Sequence, residues 1–146
     1  MDSLAEELPR LPQIGPDRRR DPKVRREISG PAMRTFFRIA EEWKLSAEEQ
    51  RGLLGWPAPA TFYNYKAGQV TILPFDMLVR ISLILGIYKD LQILYPEQGL
   101  ADAWVKLPNS NRLFGGGPAI SYMVDGGMDA LFHVRRLLDA RRGAWS

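Results

Sequence analysis

The stretch Pro108 to Gly127 carries the spacing in this chain that looks most like chemistry. An Asn-rich loop runs into Phe114, then into Gly115-Gly116-Gly117-Pro118, and two further glycines stand at Gly126 and Gly127. Consecutive glycines let backbone N–H groups approach an anion closely, so the run could cradle a phosphate. It lacks the Lys-Ser/Thr end of a P-loop and the spacing of a dinucleotide fingerprint. The same residues fit helix punctuation, with glycine past one helix and proline at the first turn of the next, and that is the reading favoured here.

A second stretch with chemical content is Ala60-Thr61-Phe62-Tyr63-Asn64-Tyr65-Lys66-Ala67-Gly68. Phe62 and Tyr65, three apart, would pack inward, while Thr61, Tyr63, Asn64 and Lys66 would face out. Asn can pair bidentately with adenine, and Lys and hydroxyl groups reach phosphates or guanine edges. Ser46 and Glu49 ahead of it form a capping box that opens a short helix through Leu53 and Leu54, stopped by Gly55. Two short helices around a Gly/Pro-marked connection have the spacing of a helix-turn-helix. Taken alone, the stretch fits equally well an ordinary exposed helix with aromatic packing.

The elements that must position these residues read as helices throughout. Residues 1–29 hold four prolines and mixed charge, including Arg18-Arg19-Arg20 and Arg25-Arg26, and are expected to be a loosely ordered arm. Order is expected near Ser29, with Pro31 at or near a first helical turn, followed by an apolar face of Met33, Phe36, Phe37, Ala40 and Trp43. Pro74 should start a helix apolar nearly all round, ended by Gly86 and followed by a separate helix from Tyr88 to Tyr95 with Leu91, Ile93 and Leu94 inward. A short helix carrying Trp104 precedes the glycine loop, and Met128 to Arg142 has helical spacing of Met128, Leu131, Phe132, Val134, Leu137 and Leu138. No alternating strand is evident, so the fold class is all-α.

Composition narrows the function classes. The chain has no cysteine and a single histidine, His133, which excludes thiol chemistry and leaves no metal site built on those residues. No nucleophile or paired acid stands in a recognisable catalytic setting, so an enzyme is not expected and neither is a cofactor. A net charge of +3 suits an acidic partner. No apolar run reaches membrane length, and the acidic, proline-containing start is unlike a signal peptide, so cytoplasmic residence without a membrane partner is expected.

The segment Thr61 to Gly68 is similar to the recognition-helix end of Xre-type helix-turn-helix domains. The positions that usually supply Gln and Ser at the helix start are Ala58, Pro59 and Ala60 here, a departure that bears on base readout rather than on phosphate contact. Farther on come the Trp104 helix, the Pro108-Asn109 loop, Phe114-Gly-Gly-Gly-Pro118, the Gly126-Gly127 break and an ending of Val134-Arg-Arg-Leu-Leu-Asp-Ala-Arg-Arg-Gly143. This ordered set resembles the Xre/MbcA/ParS antitoxin family over residues 30–146.

The resemblance implies an arm over 1–29, an Xre-like helix-turn-helix domain over 30–96 and a toxin-binding module over 97–146. It implies an antitoxin of a type II toxin–antitoxin system that blocks the NAD cleft of a RES-domain toxin, represses its own operon through operator DNA, and works as a homodimer within a hetero-oligomer. The DNA-contacting residues it implies are Thr61, Tyr63, Asn64 and Lys66. The toxin-contacting ones are Asn109, Phe114, Arg135, Asp139, Arg141, Arg142, Trp145 and Ser146, the arginines pairing with carboxylates and the Ser146 carboxylate standing in for a phosphate. Trp145 would fill an aromatic slot on the toxin. A stand-alone helix-turn-helix transcription regulator is the alternative.

Overall fold

A computed structural model describes residues 20–97 and 99–143. Arg18 and Arg19 of the arm, and Trp145 and Ser146 of the expected toxin contact, lie outside the described residues. Among the described residues the chain forms α1 (Pro22–Glu42), α2 (Ala47–Leu53), α3 (Pro59–Lys66), α4 (Phe75–Leu94), α5 (Leu100–Ala103) and α6 (Ala119–Gly143). Two 3-10 turns, Trp104–Lys106 and Arg112–Phe114, lie between α5 and α6. The extended pairing among these residues is an isolated antiparallel bridge between Pro108 and Pro118, which closes the neck of the glycine loop. The architecture is all-α, as the sequence indicated.

Helix α1 begins at Pro22, well before the expected start near Ser29. Asp21 caps it by accepting from the Lys23 N–H at 2.9 Å, and Pro22 occupies the first turn, where its missing N–H costs nothing. Val24 and Ile28, four apart, give this first stretch an inner edge, and Val24 is buried. Pro31 therefore sits inside the helix. The helix carries on past it because the following stretch is held by burial of Met33, Phe36, Ile39 and Ala40 in the core.

The capping box at the start of α2 is complete. The Ser46 hydroxyl accepts from Glu49 N–H at 3.1 Å while the Glu49 carboxylate accepts from Ser46 N–H at 2.8 Å. Helix α4 runs unbroken from Phe75 to Leu94, so Gly86 does not end a helix and Tyr88–Tyr95 is not a separate one. One continuous helix also fixes which side chains face inward. Leu91 is buried, whereas Ile93, about 200° away around the axis, is turned out to solvent and is not inward as expected.

Helix α4 is the strut of the molecule, covered by α1 on one side and by α6 on another. One apolar core joins Phe36, Trp43, Leu53, Phe62, Leu73, Ile84 and Tyr88 to Trp104, Phe114, Ile120, Leu131 and Leu138. It passes without a break across the sequence boundary at 96–97. Helix α6 breaks at Gly127, whose φ of 68° and ψ of −152° no other residue type adopts at low cost. The Gly126-Gly127 break expected from sequence is thus a sharp kink between two helical segments.

A single hydroxyl ties the start of the chain to the loop before α4. Ser29 is fully buried, donates to the Arg25 carbonyl and accepts from the Leu73 N–H at 2.9 Å. Ser29→Ala would leave that buried N–H without a partner. We expect it to lower unfolding free energy by about 1–3 kcal/mol. Urea denaturation of the variant beside the native chain reads this directly, and unchanged stability would refute the role.

Candidate functional site

Two surfaces hold the residues singled out from sequence. The first is the outer side of α3. Phe62 is completely buried and stacks edge-on with Phe37, their ring centroids 5.8 Å apart. Tyr65 is half-buried against the core, and that burial pushes its hydroxyl pKa upward. With these two residues inward, Tyr63, Asn64 and Lys66 are exposed and Thr61 is half-exposed. Tyr63, 55% exposed, leans its ring against Phe62 at 5.2 Å, which limits its freedom. The structure therefore leaves Tyr63, Asn64 and Lys66 on the solvent side of α3, with Thr61 at its edge, as a short, polar, singly cationic surface.

The connection 54–58 ahead of α3 is unusual. Trp56 adopts a φ of 63°, rare for so bulky a side chain, and remains 48% exposed. The Arg51 guanidinium lies over its ring at 5.7 Å and its Nε donates to the Pro57 carbonyl at 3.1 Å. The bare Cα of Gly52 makes room for this arrangement, since an added Cβ would stand 3.0 Å from the indole and 2.6 Å from Val124 of α6.

The second surface is the arginine-bearing end of α6, and here the site differs from the reading by sequence. The organising group is Asp90 of α4, which sequence reasoning passed over. Asp90 is fully buried and accepts from Arg142 Nη1 at 2.7 Å. Arg135 Nε lies 3.6 Å from the other Asp90 oxygen and donates to both oxygens of Asp139, at 2.9 and 3.1 Å. Arg141 donates to the Tyr95 hydroxyl at 3.3 Å. Arg135 crosses α4 directly over Gly86, where an added Cβ would stand 2.9 Å from its Nε and closer still to the rest of the guanidinium. Gly86 thus serves close approach rather than helix termination.

Of the residues expected to meet a toxin, Arg135, Asp139, Arg141 and Arg142 therefore gather at one place, but their polar atoms are directed to partners within the chain. Phe114 is a core residue, wedged edge-on against Trp104 at 5.9 Å and Tyr122 at 5.6 Å. Asn109 is half-buried and accepts from the Asn111 N–H at 2.9 Å, shaping the loop. The glycine loop turns as punctuation: Gly115, with φ 60°, closes the Arg112–Phe114 turn. The signal for Asp90 was present in the sequence. A carboxylate on the buried side of a largely apolar helix must be paired, and Gly86 stands one turn before it.

Burial, together with the hydrogen bond shared with Asp139, pushes the Asp90 carboxyl up to about 6, against the opposing pull of Arg142 and Arg135. For Asp139, burial also favours the neutral form, but hydrogen bonds to Asp90 and Arg135 outweigh it and hold its carboxyl below the ordinary value. Of the two carboxyls, the buried Asp90 is therefore the one that takes a proton first as pH falls.

Among the described residues no cluster of histidine or carboxylate side chains is arranged to hold a metal ion, and no helix is long and apolar enough to cross a membrane. An open groove of about 710 Å³ runs between the end of α1 and the α5 turn, lined by Arg38, Glu42, Trp43, Lys44, Asp102 and Lys106 among others. Its charges are of both signs, and Lys106 is itself occupied by the Lys44 carbonyl and by Glu49 at 3.5 Å.

An all-helical protein built around a buried helix is the class that this fold defines. No family model matches the chain. It is similar to the uncharacterized protein y4oB of Sinorhizobium fredii (strain NBRC 101917 / NGR234), with 42% identity over 111 residues, covering 76% of this chain and 84% of that protein. The chain belongs to the same family as y4oB.

The Asp90 cluster makes a signed prediction. Because the Asp90 pKa is raised on folding, its protonation contributes stability that is fully present below the ordinary aspartate value and is lost as pH rises through about 6. Removing Arg142 should therefore matter most once Asp90 is ionised. Arg142→Met is expected to cost about 1.5–3 kcal/mol near pH 7.5 and much less near pH 5. Urea titrations at the two pH values test this, and a pH-independent cost would reject the pairing.

Proposed function

We propose that this protein is the antitoxin of a type II toxin–antitoxin pair, which binds a RES-domain toxin over its NAD cleft and represses its own operon through α3. The observation that carries the DNA half is the face of α3. Phe62 anchors that helix in the core, and Thr61, Tyr63, Asn64 and Lys66 are left outward in a helix short enough to enter a major groove. In this reading α2 and α3 form an Xre-like helix-turn-helix, and α3 is its recognition helix. Pro59 and Ala60 at its start offer no base-reading side chain, so contact is weighted toward phosphate.

The toxin half rests on the ordered motifs of residues 104–146 and on what the fold does with them. The glycine loop and the Gly127 kink fold the chain back so that the last segment of α6 lies along α4, with Arg142 at Asp90 and Arg141 reaching Tyr95. Arg135, Arg141 and Arg142 hold this segment in place, which leaves Trp145 and Ser146 as the residues proposed to enter the toxin. The inhibitor acts in the cytoplasm, with no cofactor of its own.

The second reading, a stand-alone transcription regulator, is favoured by one observation. Four of the expected toxin-contacting side chains are satisfied within the chain, and a fifth, Phe114, is core. The α3 face needs no partner protein.

Two experiments separate these readings. In electrophoretic shifts on the upstream operon DNA, the Tyr63/Asn64/Lys66 triple alanine variant should lose affinity by about tenfold or more relative to the native chain. Equal shifts would reject α3 as the reader. In co-expression with the adjacent toxin, a chain ending at Gly143 should fail to protect cells while keeping its DNA affinity. Full protection by the shortened chain would sink the proposed role of the tail.

A further inference from the structure

The last segment of α6 buries Ala130, Leu131, Val134 and Leu138 against the rest of the fold and turns a second stripe outward. That outward stripe carries Asp129, Phe132, His133 and Arg136, all exposed. Asp129, Phe132 and Arg136 are spaced by three and four residues, so they line one side of the helix over about 10 Å. Phe132 in the middle is 43% exposed, although most other aromatic side chains of the α6 half of the core are buried.

The charges at the two ends of this stripe differ from their neighbours. Arg135, Arg142 and Asp139 are all engaged with one another or with Asp90. Among the described residues, neither Asp129 nor Arg136 has an ion-pair partner. His133 is pinned beside Phe132 by a 2.7 Å hydrogen bond between its Nδ1 and the Tyr122 hydroxyl, with the two rings stacked. The stripe thus has at one end an acid and at the other a base, neither paired among the described residues, and an exposed phenyl and a fixed imidazole at its centre.

We propose that this stripe is a self-complementary dimer interface, on which a second copy of the chain packs its own α6 antiparallel about a twofold axis. Centring the axis between Phe132 and His133 sets Asp129 of each copy opposite Arg136 of the other, so both unpaired charges are neutralised twice over. The two phenyl rings meet near the axis, each beside the other copy's imidazole. A twofold contact uses the same patch on both copies, and a stripe with opposite charges at equal distances from an apolar centre meets that requirement. A face of one helix buries little surface, so the dimer is expected to form at concentrations on the order of micromolar. The resemblance implies a homodimer without saying which face forms it; this location rests on the α6 stripe alone and holds or fails without the DNA and toxin readings.

Sedimentation velocity of the full chain between about 1 and 100 µM should show a monomer–dimer equilibrium. Phe132→Asp should give monomer throughout. Asp129→Arg and Arg136→Asp, each placing like charges across the axis, should weaken the dimer about tenfold, and the double variant carrying both should recover it because the reversed charges pair again. All three positions of change are exposed, and far-UV circular dichroism identifies any variant that fails to fold. Should Asp129→Arg be such a variant, Arg136→Gln and Phe132→Asp carry the test alone. A native chain that stays monomeric, a dimer that survives Phe132→Asp, or a folded double variant as weak as its single parents would overturn the proposal.

Discussion

A helix that is apolar around most of its circumference has little face to give to water, and α4 is such a helix. Met77, Leu78, Ile81, Ile84, Leu85, Ile87, Tyr88 and Leu91 are all buried along its length. Such a helix is stable only when other elements surround it, because leaving any of these side chains wet forfeits roughly 1.5–3 kcal/mol apiece. Everything else in the molecule is arranged as its cover. Helix α1 supplies one wall with Phe36, Ile39, Ala40 and Trp43, and the last segment of α6 supplies another with Leu131, Val134 and Leu138. The glycine loop and the Gly127 kink matter because without them α6 could not return along α4.

The same burial creates the one polar problem of the core. Asp90 lies on α4 where α6 covers it, and an isolated carboxylate there would be costly. Three features offset that cost together. Arg142 bonds it directly, Arg135 reaches it across the bare backbone of Gly86, and Asp90 holds a proton more readily than an exposed aspartate. Ion pairs of this kind contribute modestly to stability but are specific about geometry. Here they fix the register of α6 along α4, since sliding α6 by one turn would bring neither arginine to Asp90. An arginine-rich helix end that suggests a partner surface is in large part the fold's own fastening.

How far the sequence could be read follows from where its signals are local. The Ser46–Glu49 capping box, the inward Phe62, the core stripe from Met33 to Trp43 and the break at Gly127 depend on residues within one or two turns, and each was legible. The failures share a different cause. Gly86 reads locally as a stop, but its meaning lies in Arg135, far along the chain and placed over it only by the packing of α6. Phe114 reads as an exposed loop aromatic, yet the Pro108–Pro118 bridge draws that loop in until Phe114 meets Trp104 and Tyr122. The start of α1 was missed although Asp21-Pro22 is a cap followed by a first-turn proline, because the dense charge of residues 17–27 masked the spacing of Val24 and Ile28.

Because the core is continuous, the two candidate surfaces are parts of one body. Helix α2 packs on α6 so closely that the Gly52 position has room for no side chain beside Val124, and Trp56 is held over that same contact by Arg51. The connection leading into α3 is therefore braced against the first segment of α6, a short distance before the kink that directs the second segment along α4. An independent pair of domains joined by a linker would let each bind its partner without regard to the other. In this arrangement the first segment of α6 and the connection into α3 meet at Gly52, through Val124 and Trp56. The same rigidity bears on symmetry: two copies joined through their α6 stripes would hold their two α3 faces at one fixed separation, set by the packed core.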